Sequence, residues 1–323
     1  MESVIKETDL IHTKVMNKGF PIIHKKGIVS KGGEMSPFVF RGRLYRVESK
    51  TQDGCTNPQE ERKHSFARIR DVEKDVILSE FAAGHYFFSA FADNDKVYVL
   101  GTLNNAHDGW MGGDTVKVFE STDLVNWSER VLFRREGWIF YNHAVVKTED
   151  GYVITVEIKE PSEIAGEKPF TQLFARSKDM IDVEFLDFRC AYPPDRYIGG
   201  CCMHYFNKWY YLSGLTVLPG SIYVTYITRT KDFINWEIGK YNPFLFITNE
   251  DRCVSEDASS EITDEMREII KTGYFCSASD PDYCEFKGKT VINYAVGNQR
   301  GLGFIAEAIY DGPLSEMLEN FFD

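Results

Sequence analysis

The stretch Ser277–Gln299, SASDPDYCEFKGKTVINYAVGNQ, decides how the rest of the chain is read. Two strand-like runs, 283–286 and 290–296, flank a tight Lys287–Gly288–Lys289 turn, the residue order of a β-hairpin. Asp280 and Asp282 stand just before the first run. Side chains two apart on a strand share a face, so both carboxylates are expected to point the same way, with Pro281 stiffening the strand entrance. Acid–x–acid followed by a hairpin is how an all-β scaffold offers carboxylates to a pocket.

The same plan recurs upstream. Ser36–Glu48 (SPFVFRGRLYRVE), Tyr86–Gly101, Ala144–Val156 and Met203–Leu212 each carry β-rich runs around a turn, the first four turns about 50–57 residues apart, a propeller-like spacing. A second element repeats between the hairpins: Ser121–Glu129 (STDLVNWSE), Ser177–Phe185 (SKDMIDVEF) and Thr230–Ile238 (TKDFINWEI). Its Ser/Thr-x-Asp triplet can close a tight turn on its own backbone, after which Trp or Val opens an outer strand. Each unit therefore supplies about four strands, one blade. The expected fold is all-β, a single-domain five-bladed β-propeller with blades at roughly 34–80, 84–135, 138–188, 197–248 and 274–312. The polar segment 249–272 reads as an insertion over one face, ending in a short helix over Ser260–Thr272. Pro313–Phe322 reads as a second short helix.

Bulk properties narrow the partners. The chain has 323 residues, 43% hydrophobic, with a formal net charge of −12. That is enough apolar material for a sizeable core, and the negative field disfavours nucleic acid and anionic membranes. No window is apolar enough for a spanning helix, and MESVIKETDLIHTK has no secretory h-region. Seven Cys with no C-x-x-C pair fit free thiols in a reducing compartment. A cytoplasmic protein with a small neutral or cationic partner is expected, a truncated secreted chain being the alternative. Nothing in the sequence speaks to oligomeric state.

In a propeller the first strand of each blade lines the central channel. Aligning the hairpins on the residue before each turn gives one ring of Glu34, His85, Phe140, Gly200 and Asp280. Two residues deeper lie Ser36, Phe87, Asn142, Cys202 and Asp282. Ring closure makes units one and five neighbours, so Glu34, Asp280 and Asp282 form the leading constellation. Two acids across a pocket suit glycosidic-bond cleavage, one protonating the leaving oxygen while the other activates water or attacks. Crowded carboxylates also push their pKa values apart. His85, Asn142, His143 and His204 start or line inner strands and are candidates for holding sugar hydroxyls. Tyr197 and Trp110 offer aromatic faces for sugar rings, Trp110 on a Gly-rich pocket-wall loop (104–114) that ends at Asp114. Glu157, on the second strand of unit three, becomes an acid only if that strand tilts inward. The histidine spacing matches no metal motif, so no metal or other cofactor is expected, a structural calcium ion in the channel being left open.

These features resemble the five-bladed β-propeller glycosidases of the arabinanase, xylosidase and invertase type, glycoside hydrolase families 43, 32 and their neighbours. The resemblance spans roughly residues 34 to 312 and rests on the unit count, the S/T-x-D-x-x-x-W outer turn and the acid before the first hairpin. It implies an Asp base or nucleophile where this chain has Glu34 and a second tuning Asp where it has His85. It also implies a Glu general acid at Ile198–Cys201, where this chain has no acid. The carboxylates of unit five are then expected to take over in a divergent glycoside hydrolase acting on a small oligosaccharide or glycoside. The rivals are a non-catalytic carbohydrate-binding propeller, and a glycoside phosphorylase. The latter needs a basic cluster for which Arg43, Arg46, Arg68 and Arg300 are candidates; Arg300 is also a substrate-binding candidate.

Overall fold

A computed structural model describes residues 21–322 apart from positions 54, 56, 167–169 and 194–196. The N-terminal residues on which the absence of a secretory segment was read lie outside it. The chain begins with β1 (Ile23–Lys31) and then runs through antiparallel four-stranded units. The first is β2 (Met35–Phe40), β3 (Arg43–Thr51), β4 (Ser65–Asp71) and β5 (Val76–Phe81). The second is β6 (His85–Asp93), β7 (Lys96–Leu103), β8 (Thr115–Ser121) and β9 (Ser128–Arg134). The third is β10 (Ile139–Thr148), β11 (Gly151–Glu160), β12 (Thr171–Ser177) and β13 (Glu184–Phe185). The fourth is β14 (Gly199–Phe206), β15 (Trp209–Leu218), β16 (Ile222–Thr230) and β17 (Trp236–Ile238). Then follow β18 (Ser277–Phe286), β19 (Lys289–Gly297) and β20 (Gly303–Tyr310).

The last unit takes its outer strand from the start of the chain. β1 pairs antiparallel with β20, from Ile23 opposite Tyr310 to Lys31 opposite Phe304. A reading that starts the blades at residue 34 misses this strand. The reason is physical: β1 carries two register shifts, between Lys25 and Gly27 and between Ile28 and Ser30, which break the period-two alternation that marks a strand. Units four and five share one sheet only through a parallel bridge between Tyr223 and Ser277. The innermost strands touch in the cyclic order β2, β6, β10, β14, β18 and back to β2, so the sheets close into a ring as in a β-propeller.

The insertion 249–272 covers the exposed edge of β1. Ile28 N–H donates to Cys253 O, and the N–H groups of Ser255 and Ser259 donate to the carbonyls of Ile28 and Val29. An open strand edge is a pairing hazard, and this segment blocks it. Asp251, fully buried, anchors the segment by accepting from Lys25 Nζ (2.5 Å) and Tyr294 Oη (2.6 Å). The chain also forms α1 (Pro58–Lys63), α2 (Ser162–Ala165), α3 (Asp264–Thr272) and α4 (Leu314–Asn320). The helix expected from Ser260 starts at Asp264, because Thr263 caps it by accepting from Met266 N–H.

The repeated outer turns form as their chemistry requires. Asp123 Oδ1 accepts from the N–H groups of Val125 (2.9 Å) and Asn126 (2.8 Å), and Asp232 Oδ1 from those of Ile234 (2.9 Å) and Asn235 (2.8 Å). Asp179 does the same for Ile181 and Asp182. The next residue in each motif, Leu124, Met180 or Phe233, adopts a positive φ and is buried between units. Trp127 then stacks on Phe81 of the preceding unit at 4.1 Å, and Trp236 on Tyr192 at 3.9 Å. None of the described helices is long and apolar enough to cross a membrane.

Candidate active site

At the end of the ring where the innermost strands begin, three carboxyl groups from different units share one electrostatic environment. Glu34 precedes β2, Glu157 lies on β11 and Asp280 on β18. Burial, then the charges of Asp280 and Glu157, hold the Glu34 carboxyl well above the usual range. Burial pushes Glu157 up to about 8; the Gly200 N–H opposes the rise and the Asp280 charge adds to it. Burial raises Asp280 as well. Glu34, Asp280 and Asn142 are half-buried, whereas Glu157 is only 3% exposed.

The double glycine of unit four is the surface on which two of these carboxyls, Glu157 and Asp280, meet. Gly200 N–H donates to Glu157 Oε2 at 2.7 Å, and Asn142 Nδ2 donates to the same oxygen at 3.4 Å. On its other side, a Cβ at Gly200 would lie 1.9 Å from Asp280 Oδ1 and 3.0 Å from Asp280 Cα. The Asp280 carboxyl thus fills the volume a side chain at position 200 would occupy. Gly200 also has φ +56°, a conformation that excludes most side chains. A Cβ at Gly199 would stand 3.1 Å from Tyr197 Oη and 3.5 Å from Glu157 Oε1, which places Tyr197 beside the carboxyls. Burial and the charges of Glu157 and Asp280 hold the Tyr197 phenol above its ordinary range. Tyr86 is raised by burial, Glu34, Glu61 and Asp280.

β-Bulges aim these groups. In units two to five the first strand carries one extra residue against its partner, between Tyr86 and Ser89, Phe140 and His143, Gly199 and Cys202, and Ser279 and Asp282. The bulged Asp280 has φ +48°, a strained setting for a non-glycine residue of the kind found at functional sites.

The bulges also correct several expectations. Asp280 and Asp282 do not share their surroundings: the extra residue leaves Asp280 against Gly200. Asp282 Oδ1 accepts instead from Cys202 Sγ (2.9 Å) and Tyr283 N (2.7 Å), and burial raises its carboxyl to about 6. His85 is buried edge-on against Phe119 of β8 with Nδ1 3.0 Å from Ala83 O, inside its blade and away from the carboxyls. His143 is buried, bonded through Nδ1 to Ser89 Oγ (2.8 Å), and burial lowers it to about 3. His204 lies deeper beside Cys202 (Nε2 to Sγ 3.2 Å) and stacks on Tyr283 at 4.4 Å. Asp114 is engaged at the base of its loop by Asn105, Thr115 and Arg134. Trp110 on that loop is 62% exposed; the loop is tied to the end of β11 by Lys159–Asp108 at 2.6 Å and His107–Glu160 at 3.1 Å. Arg300 is exposed, its N–H donating to Asn298 Oδ1.

Three of the arginines named for a phosphate-binding cluster are paired with carboxylates. Arg46 bonds Glu48, Arg43 pairs with Asp71, and Arg68 with Glu80 and Glu261. Below the carboxyls the channel presents a thiol, an imidazole and one carboxylate.

The raised carboxyls have a measurable cost. Glu157 titrates near 8 in the fold against an ordinary 4.5, so it binds protons more tightly folded than unfolded. Its contribution is favourable below pH 4.5 and is lost as pH rises toward 8. Glu157→Gln is therefore expected to be more stable than the wild type at alkaline pH, by on the order of a few kcal/mol, and level with it near pH 4.5. Thermal melts across that pH range check it.

No family model matches the chain, and no curated protein sequence is detectably similar. Solved structures are. A thermostable family-43 glycoside hydrolase aligns with TM-score 0.58 at 11% identity, over 88% of this chain and 90% of its own. The family-32 β-fructofuranosidase of Bombyx mori, solved as a mutant with sucrose, aligns with TM-score 0.56 at 13% identity, over 87% and 61%. The catalytic domain of the family-62 α-L-arabinofuranosidase of Coprinopsis cinerea aligns with TM-score 0.54 at 8% identity, over 91% and 98%. The chain spans about half the length of another match, a family-43 protein of Bacillus licheniformis. At such identities the likeness speaks to fold. The chain has the β-propeller fold of the glycoside hydrolases of families 43, 32 and 62.

Proposed function

We propose that this protein is a glycoside hydrolase acting on a small oligosaccharide or glycoside, with Glu34 and Asp280 as its acid/base pair and Glu157 as a third, protonated carboxyl. The observation that carries the reading is that Asp280 fills the side-chain space of Gly200 while raising the carboxyls of Glu34 and Glu157. The acid missing from the start of unit four is thereby supplied from unit five. Asp280 is the anion of the set; Glu34, kept protonated by burial and by that anion, donates to the leaving oxygen. Tyr197 and Asn142 border the same space and are placed to meet sugar hydroxyls.

The test is turnover of a panel of aryl glycosides by the wild-type protein, with sugar binding followed by calorimetry. Hydrolysis that needs no added phosphate supports the reading. Sugar binding without turnover makes the protein a carbohydrate-binding propeller, and turnover that appears only with phosphate makes it a phosphorylase.

A further inference from the structure

Below the carboxyls, the innermost strands of units four and five bring together a thiol, an imidazole and a carboxylate. Cys202 and His204 are two residues apart on β14 and so share a face. Asp282 comes from β18. Cys202 Sγ is 3.2 Å from His204 Nε2 and 2.9 Å from Asp282 Oδ1, and the three donor atoms all lie within 4.8 Å of one another. Cys202 is 2% exposed. Ser36 of unit one also bonds Asp282, so the cluster is braced from a third side.

The cluster has its own access. A cavity of about 320 Å³ opens toward the hairpin turns and is lined by His204, Asp282, Ser89 and Tyr283. It is separate from the strand entrances where Glu34 and Asp280 lie. Its walls also include the apolar Phe91 and Val145.

We propose that Cys202, His204 and Asp282 bind a zinc ion, with the fourth position open to this cavity. Thiolate, imidazole and one carboxylate form a borderline-soft donor set that suits zinc and leaves calcium poorly served. The dimensions agree. With Zn–S about 2.3 Å and Zn–N or Zn–O about 2.0 Å, a tetrahedral site has sulfur–nitrogen and sulfur–oxygen edges of about 3.5 Å, so from 3.2 Å and 2.9 Å these pairs need part by about 0.3 Å and about 0.6 Å. The ion would join two units whose sheets are linked by the single bridge at Tyr223 and Ser277. This assignment stands apart from the glycosidase reading and shares no residue with the three-carboxyl set. Spacing along the chain hides the site, because Cys-x-His supplies two ligands on one strand and the third lies far along the sequence.

Chelator-stripped full-length protein, titrated with zinc and separately with cobalt, tests it. The expected result is one zinc per chain and a thiolate-to-cobalt charge-transfer band. That band is lost in Cys202→Ser and kept in Cys253→Ser, which removes an exposed thiol. Asp282→Asn keeps the shape of the side chain and is expected to weaken zinc roughly tenfold or more; it carries the test if Cys202→Ser does not fold. Failure to bind zinc, cobalt binding without the thiolate band, a band that survives Cys202→Ser, or an unchanged zinc affinity in Asp282→Asn would each reduce the cluster to a hydrogen-bonded triad.

Discussion

Replacing Asp280 by Asn is expected to lower kcat on a responsive glycoside by about 10²- to 10⁴-fold, the usual worth of a positioned acid or base, with KM moving far less. Asn keeps the volume that fills the space above Gly200, so the ring and the glycine contact persist. Only the charge goes. That charge helps raise the carboxyls of Glu34 and Glu157, so the variant should also move the pH dependence of its residual activity. Without the anion the folded pKa of Glu34 falls, and the alkaline limb of the pH–rate profile shifts to lower pH. Glu34→Gln should cost a similar factor and flatten that limb instead. A pH profile of kcat for both variants reads the two effects apart. Wild-type turnover by Asp280→Asn would remove this residue from the chemistry and with it the proposed pairing.

The largest loss of stability is expected at Glu48, far from any substrate. Its carboxyl is fully buried in unit one and accepts from Arg46 Nε (3.0 Å), Arg46 Nη2 (2.8 Å) and Arg70 Nε (2.9 Å). Arg70 also donates to Glu261 (2.6 Å), so the network pins the insertion onto unit one. Burial alone would raise Glu48, but Arg46, Lys50 and Arg70 outweigh it and hold the group at about 2. Glu48→Ala leaves two buried guanidinium groups short of their anion, which costs about 3–5 kcal/mol. Calorimetric melts measure it. The pH dependence has the opposite sign to that of Glu157. A lowered folded pKa gives stability that is complete above the ordinary 4.5 and is lost as pH falls toward 2. The wild type should therefore lose stability over that acid range, and Glu48→Ala should lose less.

The propeller is legible in the sequence because its signals are local. A Ser/Thr-x-Asp triplet with an apolar residue and Trp behind it forms the same turn wherever it occurs, and Asp123 and Asp232 make matching hydrogen bonds. Ring closure is legible too, since a repeated unit puts Glu34 beside the last hairpin. What the sequence conceals is the single extra residue in the first strand of units two to five. A simple count back from each turn places His85 and Asp282 with the carboxyls. The bulges instead turn His85 toward Phe119 and give Asp282 to Cys202. Glu157 is hard to rank for a related reason. Its position on a second strand argues for solvent, and only the approach of Gly200, a residue without a side chain, brings β14 near enough to bury it. The strand β1 is hidden by its own irregular register.

The pairing of β1 with β20 has a consequence for how the molecule comes into being. Residues near position 23 must wait for residues near position 310 before their backbone groups find partners. Such long-range pairing makes for slow assembly. Glu34 sits three residues beyond that strand, and Asp280 lies on β18, in the unit that β1 completes by pairing with β20. On a growing polypeptide the cavity therefore has no counterpart until the residues of β20 have been made, and whatever chemistry it performs waits for that strand.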